Sequence, residues 1–443
     1  MLIQQIAFIV AAAVAGFFFV KRIGFIRRNI LLGKKEDLTD EPAKRWKHMA
    51  LFALGQKKMF KRIVPAIFHF MIYVGFIIIN LEVLEIVLEG ITGQHRLFAG
   101  LMGGAYAPFI SAFEILAVLV ILACVVFLLR RWVMRLKRFF GREMTQWPQT
   151  DATLILVIEV VLMVFFLSMN TADLQLQEMG ADHYTQTDTF LVSGALMPMF
   201  EGLSQSTLIA IERIGWWGHI LGIFAFAIYI TYSKHLHIFL AFPNNYHTRF
   251  RQKGTIDNME SIANEVKLML DPSAPPPDTP PDEPGRFGAK DVQDLSWKNL
   301  LDAYSCTECG RCTSACPANV TGKVLSPRKI MMDTRDRLEE VGRNIDQHGK
   351  DHDDGKSLLH DYISMEELNA CTTCQACVEE CPININPLDI IVQLRRYAVM
   401  EESKAPNEWN LMFNNIENNA APWQFSPADR LKWAEEMQND NQA

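Results

Sequence analysis

The sequence predicts an all-α protein in two parts, a bundle of five membrane-crossing helices followed by a soluble helical domain built around metal. Three observations predict it. Five apolar segments, near 3–20, 63–88, 108–130, 152–169 and 212–241, match the ~20 residues a helix needs to cross a bilayer. Beyond residue 250 the chain turns polar, although its 443 residues are 49% hydrophobic overall. Eight of the nine cysteines fall into two runs of one spacing, Cys306-x2-Cys309-x2-Cys312-x3-Cys316-Pro317 and Cys371-x2-Cys374-x2-Cys377-x3-Cys381-Pro382.

That spacing wraps thiolates around a [4Fe–4S] cubane, the fourth cysteine of each run serving the other run's cluster. On that rule Cys306, Cys309, Cys312 and Cys381 hold one cluster, and Cys371, Cys374, Cys377 and Cys316 hold the second. Two clusters so close make a one-electron wire. A disulfide framework fits less well, because dense CxxC runs in a reducing compartment suit metal. Zinc takes four ligands per site and leaves the x3-Cys-Pro endings unexplained. Cys124 lies in an apolar run and reads as inert packing.

The first apolar segment lacks a basic leader, and its positive charges follow it (Lys21, Arg22, Arg27, Arg28). It reads as an uncleaved anchor with its N-terminus outside. Residues 21–62 and 130–142 are rich in Lys and Arg, whereas 89–107 holds only Arg96 and 170–211 holds none. The positive-inside rule then puts the metal domain in the cytoplasm of a prokaryotic cell, below its inner membrane. A net charge of −7 offers no basic surface, and nucleic acid is set aside as a partner.

Four histidines accompany the spans. His69 lies near the cytoplasmic end of the second, and His219, His235 and His237 lie on the fifth. Imidazole is costly in a bilayer and usually functional there, and facing imidazoles are axial ligands for a b-type haem. On one continuous helix, His219 and His237 would share a face ~27 Å apart, with His235 turned roughly 160° away. His69 and His237 are the candidate pair, with His235 the alternative to His237. His219 has no partner on the second span, where Ile79 and Asn80 occupy the required positions. One haem is expected and a second is left open. Of the acids, Glu82, Glu114 and Glu159 sit within spans, as proton-path or quinone-site candidates. Glu85 is expected to reach the headgroups.

At this point the residues resemble known families. "IFHFMIYVGF" and "SKHLHIFLAFPNNY" resemble helices of membrane cytochrome b subunits, the gamma type of respiratory nitrate reductase and that of heterodisulfide reductase. The resemblance implies a cytochrome b-like bundle, with His69 and His237 as haem ligands and quinone as substrate. "YSCTECGRCTSACPANVTGKVLSPR" and "ACTTCQACVEECPININPLDII" resemble the α-helical dicluster ferredoxin that forms the C-type iron–sulfur subunit of heterodisulfide reductase. Fused relatives continue into a half rich in CCG motifs, of which these 443 residues hold none. The substrate-converting half is therefore expected on a separate soluble redox subunit, a CCG-motif iron–sulfur protein or a flavoprotein.

The domain plan is a membrane part over 1–249, a proline-rich linker over 250–294, a ferredoxin domain over 295–400 and a partner-docking tail over 401–443. Seven prolines between 272 and 284 favour extended chain, and 257–270 reads as a short surface helix. Trp409, Trp423, Phe425 and Trp433 are candidate anchors for the partner. His348 and His352 read as part of a solvated loop. No phosphate-cradling glycine loop or dinucleotide fingerprint occurs. The function read from the sequence is electron transfer between membrane quinone, a b-type haem and two cytoplasmic clusters, on to or from the soluble partner. A haem-free membrane anchor presenting a ferredoxin module is the alternative, and a redox sensor without turnover a third.

Overall fold

A computed structural model describes residues 2–252, 254–271, 273 and 286–440. Among these residues the regular structure is helical, with two isolated β-bridges. Five helices are long and apolar enough to cross a membrane: α1 (Leu2–Ile30), α2 (Ile63–Thr92), α3 (Tyr106–Leu128), α4 (Gln146–Glu178) and α5 (Gln205–Ile230). α4 packs along α5 and α3, α2 along α3, and α1 closes the bundle against α5 and α2. Small residues set these distances, as is usual between helices in lipid. A Cβ on Gly75 would stand 2.6 Å from Val120, and one on Gly222 would stand 2.6 Å from Leu162.

The fifth span departs from the expected 212–241. α5 ends at Ile230, a turn follows, and a new helix, α6 (His237–Tyr246), begins. Polar anchoring on α4 ends it. Asp151 accepts from the Tyr229 hydroxyl at 2.5 Å and from the Lys234 N–H at 3.2 Å, and Ser233 caps the turn through the His235 N–H. The ~27 Å separation of His219 and His237, which assumed one straight helix, does not hold.

The soluble domain is built from α7 (Trp297–Ser305), α8 (Arg311–Ala315), α9 (Pro327–His348), α10 (Ala376–Glu380) and α11 (Pro387–Met400). Its apolar core reaches into the membrane part: Ile26 and Ile30 of α1 and Leu236 beside α6 belong to it. Asn29, fully buried, donates to the Tyr304 hydroxyl at 3.1 Å, and Arg28 donates to the Gly342 carbonyl at 2.8 Å. The core also takes in Ala289 and Val292, which the sequence reading placed in the linker. Gly288, at φ +74°, lets that strand of chain lie on the backbone of α11. The proline-rich tether falls outside the described residues except for Ser273. The surface helix is present over Glu260–Leu270. His348 ends α9, and both it and His352 are exposed.

Gly342 on α9 faces Asn29, and a Cβ there would collide with the Asn29 amide. Gly342→Val is expected to pry α1 from the soluble domain and to cost about 1–3 kcal/mol by overpacking. A lower thermal midpoint and faster proteolysis of the 286–440 region in detergent would show it.

Candidate metal centres

The two cysteine runs fold as near copies. In each, left-handed backbone follows the first cysteine, at Glu308 (φ 54°) and Gly310 (φ 71°) in one run and Thr373 (φ 57°) and Gln375 (φ 59°) in the other. The chain then enters a five-residue helix, α8 or α10, that carries the third cysteine, and leaves it at the fourth. α8 and α10 lie side by side. This juxtaposition carries each fourth cysteine across. The thiols that bear on Cys312 are Cys309, Cys306, Cys381 and, from the other run, Cys377, and those that bear on Cys377 are Cys371, Cys316 and Cys374.

Burial pushes the thiols of Cys306, Cys377 and Cys381 up to about 12. Converging thiols in such surroundings become thiolates when a bound cationic centre supplies the opposing charge. Backbone N–H groups already point at the sulfurs. Ile385 donates to Cys381 at 3.3 Å and Thr373 to Cys371 at 3.4 Å, and Glu308 donates to Cys306. All nine cysteines are free. Among the described residues no three His, Cys, Asp or Glu side chains close on a single-ion point. Each group has one deeply buried member, Cys306 at 8% and Cys316 at 7% exposed, and of the eight only Cys374 lies at the surface.

The bend after α5 assembles the histidines. The His69 and His237 ring centres are 6.4 Å apart, and His235 stands 5.5 Å from His237. His235 was expected on the far face; the break at Ile230 brings it beside the pair, with its Nε2 3.9 Å from Glu159. His69 Nδ1 bonds the Gln56 side-chain oxygen at 3.1 Å, and His237 Nδ1 donates to the Lys234 carbonyl at 3.0 Å. Both rings are thus oriented through Nδ1, the outer bond that metal-ligating histidines use. His219 stands apart on α5, its Nδ1 at 2.9 Å from the Leu162 carbonyl and its Nε2 buried without a partner.

Two residues that the sequence reading passed over join these sites. Lys234 ion-pairs with Glu308 inside the first cysteine run, and Arg335 holds the other Glu308 oxygen at 2.8 Å. Arg311, next to Cys312, donates to the carbonyls of Lys58 and Met59, in the loop that also carries Gln56. A lysine in an otherwise apolar span and a glutamate between cluster cysteines were the available signals. Glu85 is a correction. It is 2% exposed and accepts from the Phe98 N–H and the Tyr106 hydroxyl, so it does not reach the headgroups. In the tail, Trp423, Phe425 and Trp433 are exposed.

Lys234→Met would leave Glu308 buried with one cation instead of two. Removing one partner of a buried pair costs about 3–5 kcal/mol. Its expected signature is a lowered thermal midpoint that Lys234→Arg restores in part.

Residues 305–385 match the family model of a 4Fe-4S dicluster domain. The chain is 27% identical, over 98% of its length, to the probable iron-sulfur-binding oxidoreductase FadF of Bacillus subtilis, of which it covers 61%. It is 25% identical, over 92% of its length, to the EtfAB:quinone oxidoreductase of Syntrophomonas wolfei, of which it covers 56%. Over 24% of its length it is 37% identical to a subunit of the ferredoxin/F(420)H(2)-dependent CoB-CoM heterodisulfide reductase of Methanosarcina acetivorans, covering 52% of that protein. The chain thus spans about six-tenths of the first two relatives. No solved structure matches it.

Proposed function

We propose that the chain is a membrane-bound electron-transfer subunit that links the quinone pool to a soluble redox partner. The observation that carries this reading is the continuity of the sites. Lys234 orients His237 through its carbonyl and ion-pairs through its ammonium with Glu308, whose N–H donates to Cys306. A membrane histidine site and a buried four-cysteine site are thereby held together by one residue. The matches to an iron-sulfur-binding oxidoreductase and to an EtfAB:quinone oxidoreductase, over nearly the whole of this chain, support the same reading.

In it, Cys306, Cys309, Cys312 and Cys381 hold the inner [4Fe–4S] cluster, and Cys371, Cys374, Cys377 and Cys316 the outer one. His69 and His237 hold a b-type haem. Their ring centres stand 6.4 Å apart, which supports their serving one group between them. The haem and clusters supply one-electron carriers. The protein's part is to fix them, with Gln56 and the Lys234 carbonyl setting the ring orientations and backbone N–H groups stabilising the reduced sulfurs. Cys374 at the surface, with the exposed aromatics of the tail, faces the partner. The many lysines and arginines of 21–62 and 130–142 support a cytoplasmic side for this face, in a prokaryotic cell.

The reduced-minus-oxidised optical spectrum tests the reading. The purified protein is expected to show a b-type signal with about one haem and about eight non-haem irons per chain. His69→Ala is expected to abolish the haem signal and quinone-linked turnover while keeping the iron. A haem signal that survives His69→Ala would overturn the ligand assignment, and iron without haem in the wild type would leave a ferredoxin on a membrane anchor.

A further inference from the structure

The end of the bundle opposite the soluble domain carries an unusual polar interior. Glu82, Glu85, Glu89, Glu114, Asp173 and Glu212 are all buried there. Most have partners. Arg96 pairs with Asp173 at 2.7 Å and donates to Asn170, also at 2.7 Å. The Tyr106 hydroxyl donates to Glu85 at 2.8 Å. Glu114 accepts from the N–H groups of Val192 and Ser193 at 2.9 and 3.1 Å. Glu212 takes Arg213 and the Tyr184 hydroxyl.

Glu82 has none. It is 1% exposed, and neither of its oxygens has a hydrogen-bond partner. Trp216 on α5 is 5% exposed, and its indole N–H is likewise unpartnered. Both line one cavity of about 10 Å³, together with Glu85, Glu89, His95 and Glu212. That is about the room one water needs, and a water there would have an acceptor and a donor waiting for it. The groups facing Glu82 are known from every side. Its own helix offers Glu85 and Glu89, α3 offers Glu114, the loop after its own helix offers His95 and Arg96, α4 offers only Met169 to the cavity, and α5 offers Glu212. α1 carries no charged side chain from residue 2 to 20. Six carboxyl groups thus share two guanidinium groups, Arg96 and Arg213.

The cluster also reaches water. Glu82 lies ten residues before the end of α2, ~15 Å from it. His95 lines the cavity, its Nδ1 accepting from the Thr185 N–H at 3.0 Å and its Nε2 3.3 Å from Asp173, and its ring is 5.8 Å from that of His183 and 5.3 Å from that of Tyr184. His183 is exposed at that end of the bundle.

We propose that this cluster is a proton-exchange site that opens on the face opposite the ferredoxin domain, with Glu82 as its inner terminus and Glu89, His95 and His183 leading outward. The proposal rests on the quinone-linked reading for its purpose. A quinol that becomes quinone gives up two electrons and two protons, and the reverse reaction takes both back. Iron–sulfur clusters carry only the electrons, so the protons need a separate route. Glu82 is the carboxylate that takes up or delivers them, through the cavity water, to the outer side.

Redox-difference infrared spectroscopy of the full-length purified protein, poised with dithionite and ferricyanide, tests this without quinone. The wild type is expected to show the carbonyl band of a protonated carboxyl changing with redox state. Glu82→Gln should abolish that band while the cluster signals in electron paramagnetic resonance stay intact, and Trp216→Phe should shift it. A band unchanged in both variants, or no carboxyl band in the wild type, overturns the proposal. With decylubiquinol in proteoliposomes, Glu82→Gln is expected to slow electron transfer at least tenfold. A wild type that shows the infrared band and ignores decylubiquinol would retire the quinone-linked reading and leave the proton site standing.

Discussion

The ion pair between Lys234 and Glu308 joins the two halves of this protein. A lysine at the end of an apolar bundle and a glutamate in a cysteine loop are each expensive to bury alone. Together, with Arg335 on the glutamate's second oxygen and the Pro148 carbonyl and Asp151 near the ammonium, they form a network that neither half could complete by itself. Each half leaves a charge for the other to neutralise, so the relative placement of the bend and the first cysteine run is set by electrostatics rather than by a covalent tether.

Apolar packing reinforces that placement. The end of α1 leaves the bundle and enters the core of the soluble domain at Ile26 and Ile30, and Leu236 enters from the bend after α5. The buried Arg328 ties α9 to Glu143 in the loop between α3 and α4, at 2.6 Å. Arg249 and Arg251, just past α6, both pair with Asp389 at the start of α11. The soluble domain is therefore seated on the bundle at several separated points, which resists both tilting and sliding.

Much of this was legible in the sequence, and what was missed has physical reasons. Spans announce themselves through apolar length, and cysteine runs through spacing, because in both cases the chemistry fixes the period. The break at Ile230 was hidden because Thr231 and Ser233 are compatible with a helix; only Asp151, some eighty positions earlier, gives the turn its anchor. The outer end of α4, from Asn170 to Gln177, is too polar to read as buried, and it is buried because Arg96, His95 and the 185–193 segment satisfy it. Glu85 misled for the same reason: a carboxylate near a helix end looks like a surface group until its donors are known. Pairings between distant residues carry no local signature.

The unequal exposure of the two cysteine groups has a consequence for how they respond to their surroundings. Solvent near a cluster stabilises the more negative, reduced form, and dry surroundings disfavour it. The group around Cys306 is screened by α7, by the bend and by the membrane loops, so its environment is fixed by the fold. In the other group Cys374 lies at the surface, and whatever covers it changes the local polarity there. On the proposed reading, a partner's arrival would thus retune the carrier beside Cys374 more than the one beside Cys306, making association itself a means of steering which way charge flows.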